Sequence, residues 1–133
     1  MISGSCHCGA VTFSLAGQPQ AITACNCTIC RRYGTLWAYG FDLNDIRVQA
    51  DPQMLGTYTC GSHTIGFHFC KTCACVTHWR GLQPLADGRT RIAVNLRMAA
   101  PEAVAALPLE RFDGLTSWRD LPPDGRCVAD IWW

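Results

Sequence analysis

The sequence predicts a mainly β fold, an antiparallel sheet with cysteine clusters at its strand ends and at most one short helix. Four segments alternate apolar side chains with a period of two, which is typical of strands with one buried face. The alternating positions are Val11, Phe13 and Leu15, then Trp37, Tyr39, Phe41 and Leu43, then Ile65, Phe67 and Phe69, then Ile92, Val94, Leu96 and Met98. Turn signals separate these segments, so we expect mainly antiparallel hairpins and meanders.

The one predicted helix runs from Pro101 to Leu107. Pro101 suits a first helical turn, an alanine-rich stretch follows it, and Pro108 ends it. The 133 residues predict a single domain, residues 1–133, because this length provides one core of ordinary size.

Charge and hydropathy exclude several classes of partner. Eleven Lys and Arg against ten Asp and Glu leave a net charge of +1, which supplies no field for attracting nucleic acid. No apolar run approaches the roughly 18 residues of a membrane span. The residues from Met1 to Ser5 lack the basic and apolar regions of a signal peptide. We therefore expect a cytoplasmic protein with neither a nucleic-acid nor a membrane partner.

Ten cysteines in 133 residues are the most unusual feature of the composition. In a reducing compartment, dense cysteine indicates metal binding rather than a disulfide framework, and zinc is the simplest metal for thiolate ligands. Most of the cysteines form three close groups: Cys6 and Cys8, then Cys25, Cys27 and Cys30, then Cys70, Cys73 and Cys75. Cys60 and Cys127 stand alone.

Two kinds of zinc site follow from the spacing. The pair Cys6 and Cys8 together with the pair Cys70 and Cys73 would form a closed four-thiolate site, which is typical of structural zinc. The middle run of Cys25, Cys27 and Cys30 offers three thiolates and no obvious fourth ligand, so zinc there would keep an open position. Three thiolates weaken the Lewis acidity of zinc, and such a site suits thiol chemistry better than water activation.

Three motifs together resemble one family. They are GSCHCGAV at residues 4–11, CNCTICRR at residues 25–32 and FHFCKTC at residues 67–73. In this order they resemble the glutathione-dependent formaldehyde-activating enzyme family, which includes the centromere protein V domain. The resemblance implies a β-tent fold and two zinc ions per chain. It places the structural zinc on Cys6, Cys8, Cys70 and Cys73, and the second zinc on Cys25, Cys27 and Cys30.

The resemblance also implies an activity. Members of the family are described as carbon–sulfur lyases that condense glutathione and formaldehyde into S-(hydroxymethyl)glutathione. Cys25, Cys27 and Cys30 would then be catalytic, holding the zinc on which the thiol attacks a small aldehyde. The alternative is a non-catalytic zinc-stabilised binding or thiol-carrier module. A fourth thiolate from Cys60 or Cys75, closing the middle site, would favour this alternative.

Arg31 and Arg32 directly follow the middle cysteines, and we expect this pair to bind a carboxylate of glutathione. Neighbours on an extended strand point in opposite directions, so at most one of them faces the site.

Two positions depart from the family pattern. Ala74 stands where relatives usually have a glycine, and a turn with positive φ would disfavour alanine there. Asn26 replaces a residue that is commonly histidine or another polar residue, which affects the surroundings of the middle site and not its ligand count.

Three further expectations concern single residues and faces. His68 is a candidate proton donor on the same strand face as Cys70. The aromatic run that begins at Trp37 is expected to be core rather than a substrate cleft. An exposed Trp132-Trp133 pair at the terminus would favour a homodimer.

Overall fold

The structure is a computed structural model and describes residues 1–132. The strands are β1 (Ile2–Ser5), β2 (Val11–Leu15), β3 (Ile22–Cys25), β4 (Trp37–Phe41), β5 (Ile46–Ala50), β6 (Leu55–Tyr58), β7 (Ile65–Cys70), β8 (Val76–Gly81), β9 (Arg91–Asn95), β10 (Leu109–Asp113) and β11 (Arg119–Asp120). Two α-helices, α1 (Cys30–Tyr33) and α2 (Pro101–Val104), each have four residues. Three short 3-10 turns complete the elements at Pro52–Met54, Leu96–Met98 and Val128–Ile131. The predicted mainly β class is confirmed.

The strands form two sheets. The smaller sheet has the order β1-β2-β5, and the larger has the order β11-β10-β3-β4-β9-β8-β7-β6. Neighbouring strands are antiparallel, as predicted, with the exception of β10, which runs parallel to β3. This parallel pair brings a segment from the end of the chain alongside the strand that leads into the middle cysteines.

The main core lies where the two sheets face each other. Phe13 and Ile46 from the smaller sheet pack with Ile92 and Val94 from the larger one, and Val104 of α2 closes the cluster. Alternation on the larger sheet sends the other side chains to the opposite face. There Trp37, Phe67, Trp79 and Ala93 form a second cluster that contains Cys30. The larger sheet therefore contacts the main core on one face and the middle cysteines on the other.

The helices differ from the sequence prediction in number and length. The sequence predicts one helix from Pro101 to Leu107, but α2 ends at Val104, and α1 is an additional helix. The helix α1 has no acidic residue in its first turn and no side-chain cap, so the usual sequence signals for a helix start are missing. It ends at Gly34, whose φ of +63° gives the left-handed cap that favours glycine.

The aromatic face that begins at Trp37 is core at one end only. Trp37 is buried, whereas Tyr39 is 53% exposed and Leu43 is 68% exposed. Leu43 lies beyond the end of β4, where its φ of +64° interrupts the alternation. The expectation of core thus holds for Trp37 and is wrong for Tyr39 and Leu43.

At the end of the described chain, Trp132 is half-buried against the main core. Trp133, the other member of the predicted exposed pair, lies outside the described residues. None of the helices in residues 1–132 has the length and apolarity needed to cross a membrane.

Candidate metal centres

The first cluster brings together four sulfurs from distant parts of the chain. The Sγ atoms of Cys6, Cys8, Cys70 and Cys73 all lie within 4.8 Å of one another. The Cys6–Cys8 and Cys8–Cys70 sulfur pairs are each separated by 3.6 Å. A tetrahedral zinc ion with Zn–S bonds of about 2.3 Å needs sulfurs about 3.8 Å apart, so this geometry fits zinc. Cys6 and Cys70 are buried, Cys73 is half-buried and Cys8 is exposed, so the cluster runs from the junction of the two sheets to the surface.

Two tight turns present these sulfurs. In one turn the N–H of Gly9 donates to the carbonyl of Cys6 at 2.9 Å, and in the other the N–H of Ala74 donates to the carbonyl of Cys70 at 2.8 Å. Gly9 has a φ of +80° and Ala74 has a φ of +61°. The positive-φ turn is therefore present at Ala74, and it is formed by an alanine in a conformation that favours glycine.

Backbone N–H groups stabilise the thiolate form in this cluster. The N–H of Val11 donates to Cys6 Sγ at 3.3 Å. A hydrogen bond from the backbone of Cys75 is the largest influence that lowers the pKa of Cys73 to about 5. Thiolates are the form that binds metal, so these donors prepare the cluster for a cation.

The second cluster comes from one short segment. The sulfurs of Cys25, Cys27 and Cys30 lie within 4.8 Å of one another, and no other Cys, His, Asp or Glu in residues 1–132 joins them. Cys25 ends β3 and Cys30 begins α1, so the change from strand to helix folds the segment back on itself. This geometry fits a metal ion with three protein ligands.

Hydrogen bonds to sulfur fix the orientation of these three side chains. The N–H groups of Cys27 and Cys30 donate to the sulfurs of Cys25 and Cys27, each at 3.4 Å. The indole Nε1 of Trp37 donates to Cys30 Sγ at 3.2 Å. Sequence patterns indicate only core or cleft lining for Trp37, because a pairing between side chains on β4 and α1 has no local pattern.

Protonation is shared unequally within the second cluster. A hydrogen bond from the Cys30 thiol, with backbone donors, lowers the pKa of Cys25 to about 6. The same bond and burial raise the pKa of Cys30. Cys25 therefore loses its proton before Cys30 when the cluster carries no metal.

A loop from the end of the chain packs over the second cluster. Asp113 Oδ1 accepts a hydrogen bond from Asn26 Nδ2 at 3.0 Å, and Asn26 Oδ1 accepts one from the N–H of Leu115 at 3.0 Å. Asp113 Oδ2 accepts bonds from the N–H and the hydroxyl of Ser117. These bonds, with that from Asn26 the largest, hold the pKa of Asp113 well below its usual range. Asn26 thus ties the cysteine segment to this loop.

Gly114 in this loop has no room for a side chain. A Cβ atom there would lie 2.7 Å from the Cβ of Cys27 and 3.0 Å from the Sγ of Cys25. The need for glycine at this position arises from a contact between segments almost ninety residues apart.

The other three cysteines, Cys60, Cys75 and Cys127, lie outside both clusters. Cys75 packs beside Cys73 at the first cluster. Cys60 packs against the aromatic cluster around Trp37. Neither thiol provides a fourth ligand to Cys25, Cys27 and Cys30 within the described chain.

Arg31 and Arg32 point to different places. Arg31 lines a cleft of about 330 Å³ that also reaches Cys25. Arg32 donates from Nη1 to the carbonyl of Thr28 at 2.7 Å and lines a separate depression beside Cys60. The two arginines lie on α1 rather than on a strand, and they line separate depressions.

His68 lies away from the second cluster. Its ring stacks on His78 with centroids 4.5 Å apart, and its Nδ1 is 3.0 Å from the hydroxyl of Thr57. Its neighbour Phe67 belongs to the cluster that contains Cys30. Because successive strand residues face opposite sides of a sheet, His68 is on the wrong face to donate a proton at Cys30.

A solved structure resembles this fold. A crystal structure of a protein from Rhodobacter sphaeroides matches with a TM-score of 0.61 and 29% sequence identity, covering 81% of this chain and 99% of that chain. Its description states no activity.

A family model supplies the assignment. The model described as glutathione-dependent formaldehyde-activating enzyme matches residues 1–104. These residues contain the seven cysteines of the two candidate metal centres and end before the loop at Gly114. The match covers well over half of the chain. The chain therefore belongs to the glutathione-dependent formaldehyde-activating enzyme family.

Proposed function

We propose that the chain is a zinc-dependent carbon–sulfur lyase that adds the thiol of glutathione to formaldehyde or a related small aldehyde. The observation that supports this function is the three-sulfur cluster, which no other Cys, His, Asp or Glu of residues 1–132 completes. Catalytic zinc sites have three protein ligands because the remaining position takes the reacting molecule. Family membership supports glutathione and formaldehyde as the substrates.

The chain's own groups prepare the second cluster for a thiol. When bound by the three cysteines, zinc would offer a fourth position to the substrate thiol and lower its pKa. Trp37 holds the Cys30 sulfur by its hydrogen bond of 3.2 Å. Gly114 covers the side of the cluster formed by Cys25 and Cys27.

The reaction needs no further reagent. The sulfur of the thiol forms a bond to the aldehyde carbon, and the carbonyl π electrons move to oxygen. The thiol releases its proton to water, and the oxygen takes up one proton from water. The addition therefore causes no net gain or loss of protons. Lowering the pKa of the thiol raises the fraction of thiolate, which is the nucleophile.

Arg31 is the proposed partner of a glutathione carboxylate, because it lines the same cleft as Cys25. A guanidinium and a carboxylate form paired, charge-assisted hydrogen bonds. Arg32, which is bonded to the Thr28 carbonyl, serves as the comparison residue.

The test is the rate of exchange between glutathione and S-(hydroxymethyl)glutathione at equilibrium, followed by magnetisation transfer with 13C-labelled formaldehyde. Thiols add to formaldehyde without a catalyst, so the protein must raise this rate above that of the same mixture without protein. We expect the zinc-loaded protein to do so, and Cys27→Ser to remove the effect. Cys127→Ser is the control, since Cys127 lies outside both clusters.

An exchange rate that the protein leaves unchanged would overturn the proposal. The non-catalytic reading would then hold if the protein still bound glutathione in a one-to-one ratio. Equal rates for Cys27→Ser and the unaltered protein would show that any catalysis occurs elsewhere.

A further inference from the structure

A cavity of about 500 Å³ lies on the face of the larger sheet that carries Trp37. Its lining includes three aromatic and two charged side chains, those of Tyr39, Phe41, Trp79, Asp45 and Arg91. Small-molecule sites typically have this volume and combine apolar walls with a few polar groups. The cavity therefore has the composition of a ligand site, and none of the groups that the proposed function uses lines it.

Strand register puts this cavity on the same face as the second cysteine cluster. Tyr39 and Phe41 follow Trp37 at alternate positions of β4. Arg91 of β9 is directly opposite Phe41. Alternate positions of one strand, and directly opposite positions of two neighbouring strands, share a face of the sheet. Trp37 donates to the Cys30 sulfur, so the row from Trp37 to Arg91 leads away from the second cluster along one face.

Trp79 is the wall that the cavity shares with the surroundings of the second cluster. Its ring lines the cavity, its centroid is 6.0 Å from that of Tyr39, and it packs in the same apolar cluster as Cys30. Partial burial raises the pKa of Tyr39 to about 12, and the charges of Cys30 and Cys25 also raise it. Tyr39 thus lies within electrostatic range of the sulfurs, and the cavity begins close to them.

The distance from the second cluster to Arg91 matches the length of a short peptide. Four steps along β4 separate Trp37 from Phe41, which is opposite Arg91, and at about 3.3 Å per residue the row is about 13 Å long. An extended tripeptide spans about 10 Å. The Arg91 side chain lines the cavity together with Tyr39, so a tripeptide thiol held at the sulfurs would reach it with the longer of its two arms.

The two charged residues of the cavity suit a group that carries both charges. Neither Arg91 nor Asp45 has an ion-pair partner in residues 1–132. Asp45 Oδ2 accepts the N–H of Phe41 at 2.8 Å, which fixes its carboxylate beside the cavity. A guanidinium and a carboxylate are complementary to the carboxylate and ammonium of a free amino-acid end. In glutathione the γ-glutamyl arm is the longer one and carries both groups, whereas the glycine end carries a carboxylate alone.

We propose that this cavity binds the γ-glutamyl end of the thiol substrate, with Arg91 holding its α-carboxylate and Asp45 its ammonium group. This inference rests on the proposed function, because it takes the second cluster as the place where the thiol sulfur binds. Tyr39 and Trp79 form the walls along the γ-glutamyl arm. The cavity accordingly selects γ-glutamyl thiols over thiols that lack this end.

The test is calorimetric titration of the zinc-loaded protein with three thiols. Glutathione and γ-glutamylcysteine have the γ-glutamyl end, and N-acetylcysteinylglycine lacks it. We expect Arg91→Met to weaken binding of the first two by roughly tenfold, the effect of losing a charge-assisted hydrogen bond. Binding of N-acetylcysteinylglycine should not change, which also shows that the variant is folded and holds its second metal. Arg91→Lys, which keeps the charge and loses the paired geometry, should show a smaller loss with the same selectivity.

Arg47→Met is the matched control. Like Arg91, Arg47 is an exposed strand residue without an ion-pair partner in the described chain, so its removal changes the net charge equally. It lies on β5 and lines a separate depression on the smaller sheet. We expect it to bind all three thiols as the unaltered protein does.

Three results would overturn the inference. The first is equal affinity of Arg91→Met and the unaltered protein for γ-glutamylcysteine, including the case in which neither binds. The second is an equal loss for N-acetylcysteinylglycine, and the third is an equal loss in Arg47→Met. The exchange assay decides the proposed function separately: Arg91-dependent binding without faster exchange removes the lyase function alone, and faster exchange without Arg91 dependence removes only this inference.

Discussion

The two cysteine clusters differ in how the chain assembles them. In the first, Cys8 and Cys70 are 62 residues apart in sequence, and their sulfurs meet where the two sheets join. In the second, the three sulfurs come from residues 25–30, and folding of one turn is enough to bring them together. A metal in the first cluster would crosslink distant parts of the chain, whereas a metal in the second would bind one short segment. The proposed structural and reactive roles thus fall on clusters that differ in sequence distance.

The largest expected effect comes from removing one ligand in each cluster. Cys70→Ser leaves a buried polar group and breaks the crosslink, so we expect a loss of roughly 5 kcal/mol or more, comparable to a whole domain's stability. Cys27→Ser should lower stability by much less and still remove the second metal. Chemical denaturation with zinc analysis checks both. Equal losses of stability would contradict the division into a structural and a reactive site.

Gly114→Ala tests whether the loop over the second cluster is part of that site. Its new Cβ would meet Cys27 at 2.7 Å and Cys25 at 3.0 Å, so we expect a loss of about 3 kcal/mol and weaker binding of the second metal. The control is Gly81→Ala, whose Cβ would have its nearest neighbours at 3.5 Å. Thermal unfolding and competition with a chelator measure the two effects. A variant that keeps its second metal at full affinity would remove the loop from the site.

Acid sensitivity has a source outside both clusters. His78 is fully buried, and burial lowers its pKa to about 3 from an ordinary value of 6.5. The unfolded chain therefore binds a proton more tightly, and stability is lost as pH falls from 6.5 toward 3. The maximum slope is about 1.4 kcal/mol per pH unit.

The comparison that isolates this effect is the pH dependence of unfolding in His78→Gln and the unaltered protein. Metal loss at low pH affects both proteins equally, so only the difference in slope reports on His78. We expect a shallower acid loss in His78→Gln. Parallel curves would assign the whole acid sensitivity to the cysteine clusters.

The smallest expected effect lies in the two turns of the first cluster. Ala74 has a φ of +61°, so Ala74→Gly should stabilise the protein by about 1 kcal/mol. Gly9→Ala, at a φ of +80° with no atom near its new Cβ, should destabilise it by a similar amount. Denaturant midpoints at saturating zinc provide the measurement. The same sign for both changes would contradict the strain argument.

Local patterns were sufficient for four of the eleven strands, β2, β4, β7 and β9, and for the grouping of the cysteines. Alternation at Val11, Phe13 and Leu15 corresponds to the buried face of β2. The pairing of Cys6 and Cys8 with Cys70 and Cys73 needs only the rule that two short-spaced pairs complete one tetrahedron. Such rules hold because they concern residues close in sequence or a ligand geometry with few solutions.

Other features depend on contacts that no local pattern encodes. Tyr39 has the apolar alternation of a core residue, but the second face of the larger sheet is only partly covered, so it is exposed. His68 is close to Cys70 in sequence, and alternation directs it away from the second cluster. The contacts of Trp37 with Cys30, and of Gly114 with Cys25, each join separate elements.

The sequence by itself determined the mainly β class, the two cysteine sets and the family, because strand periodicity and thiol spacing are short-range properties. The tertiary structure decided what surrounds the second set. The parallel pairing of β10 with β3 brings Gly114 to Cys25, and α1 directs Arg31 and Arg32 to separate depressions. These placements depend on which strands become neighbours. The burial of apolar side chains from the whole chain determines those neighbours.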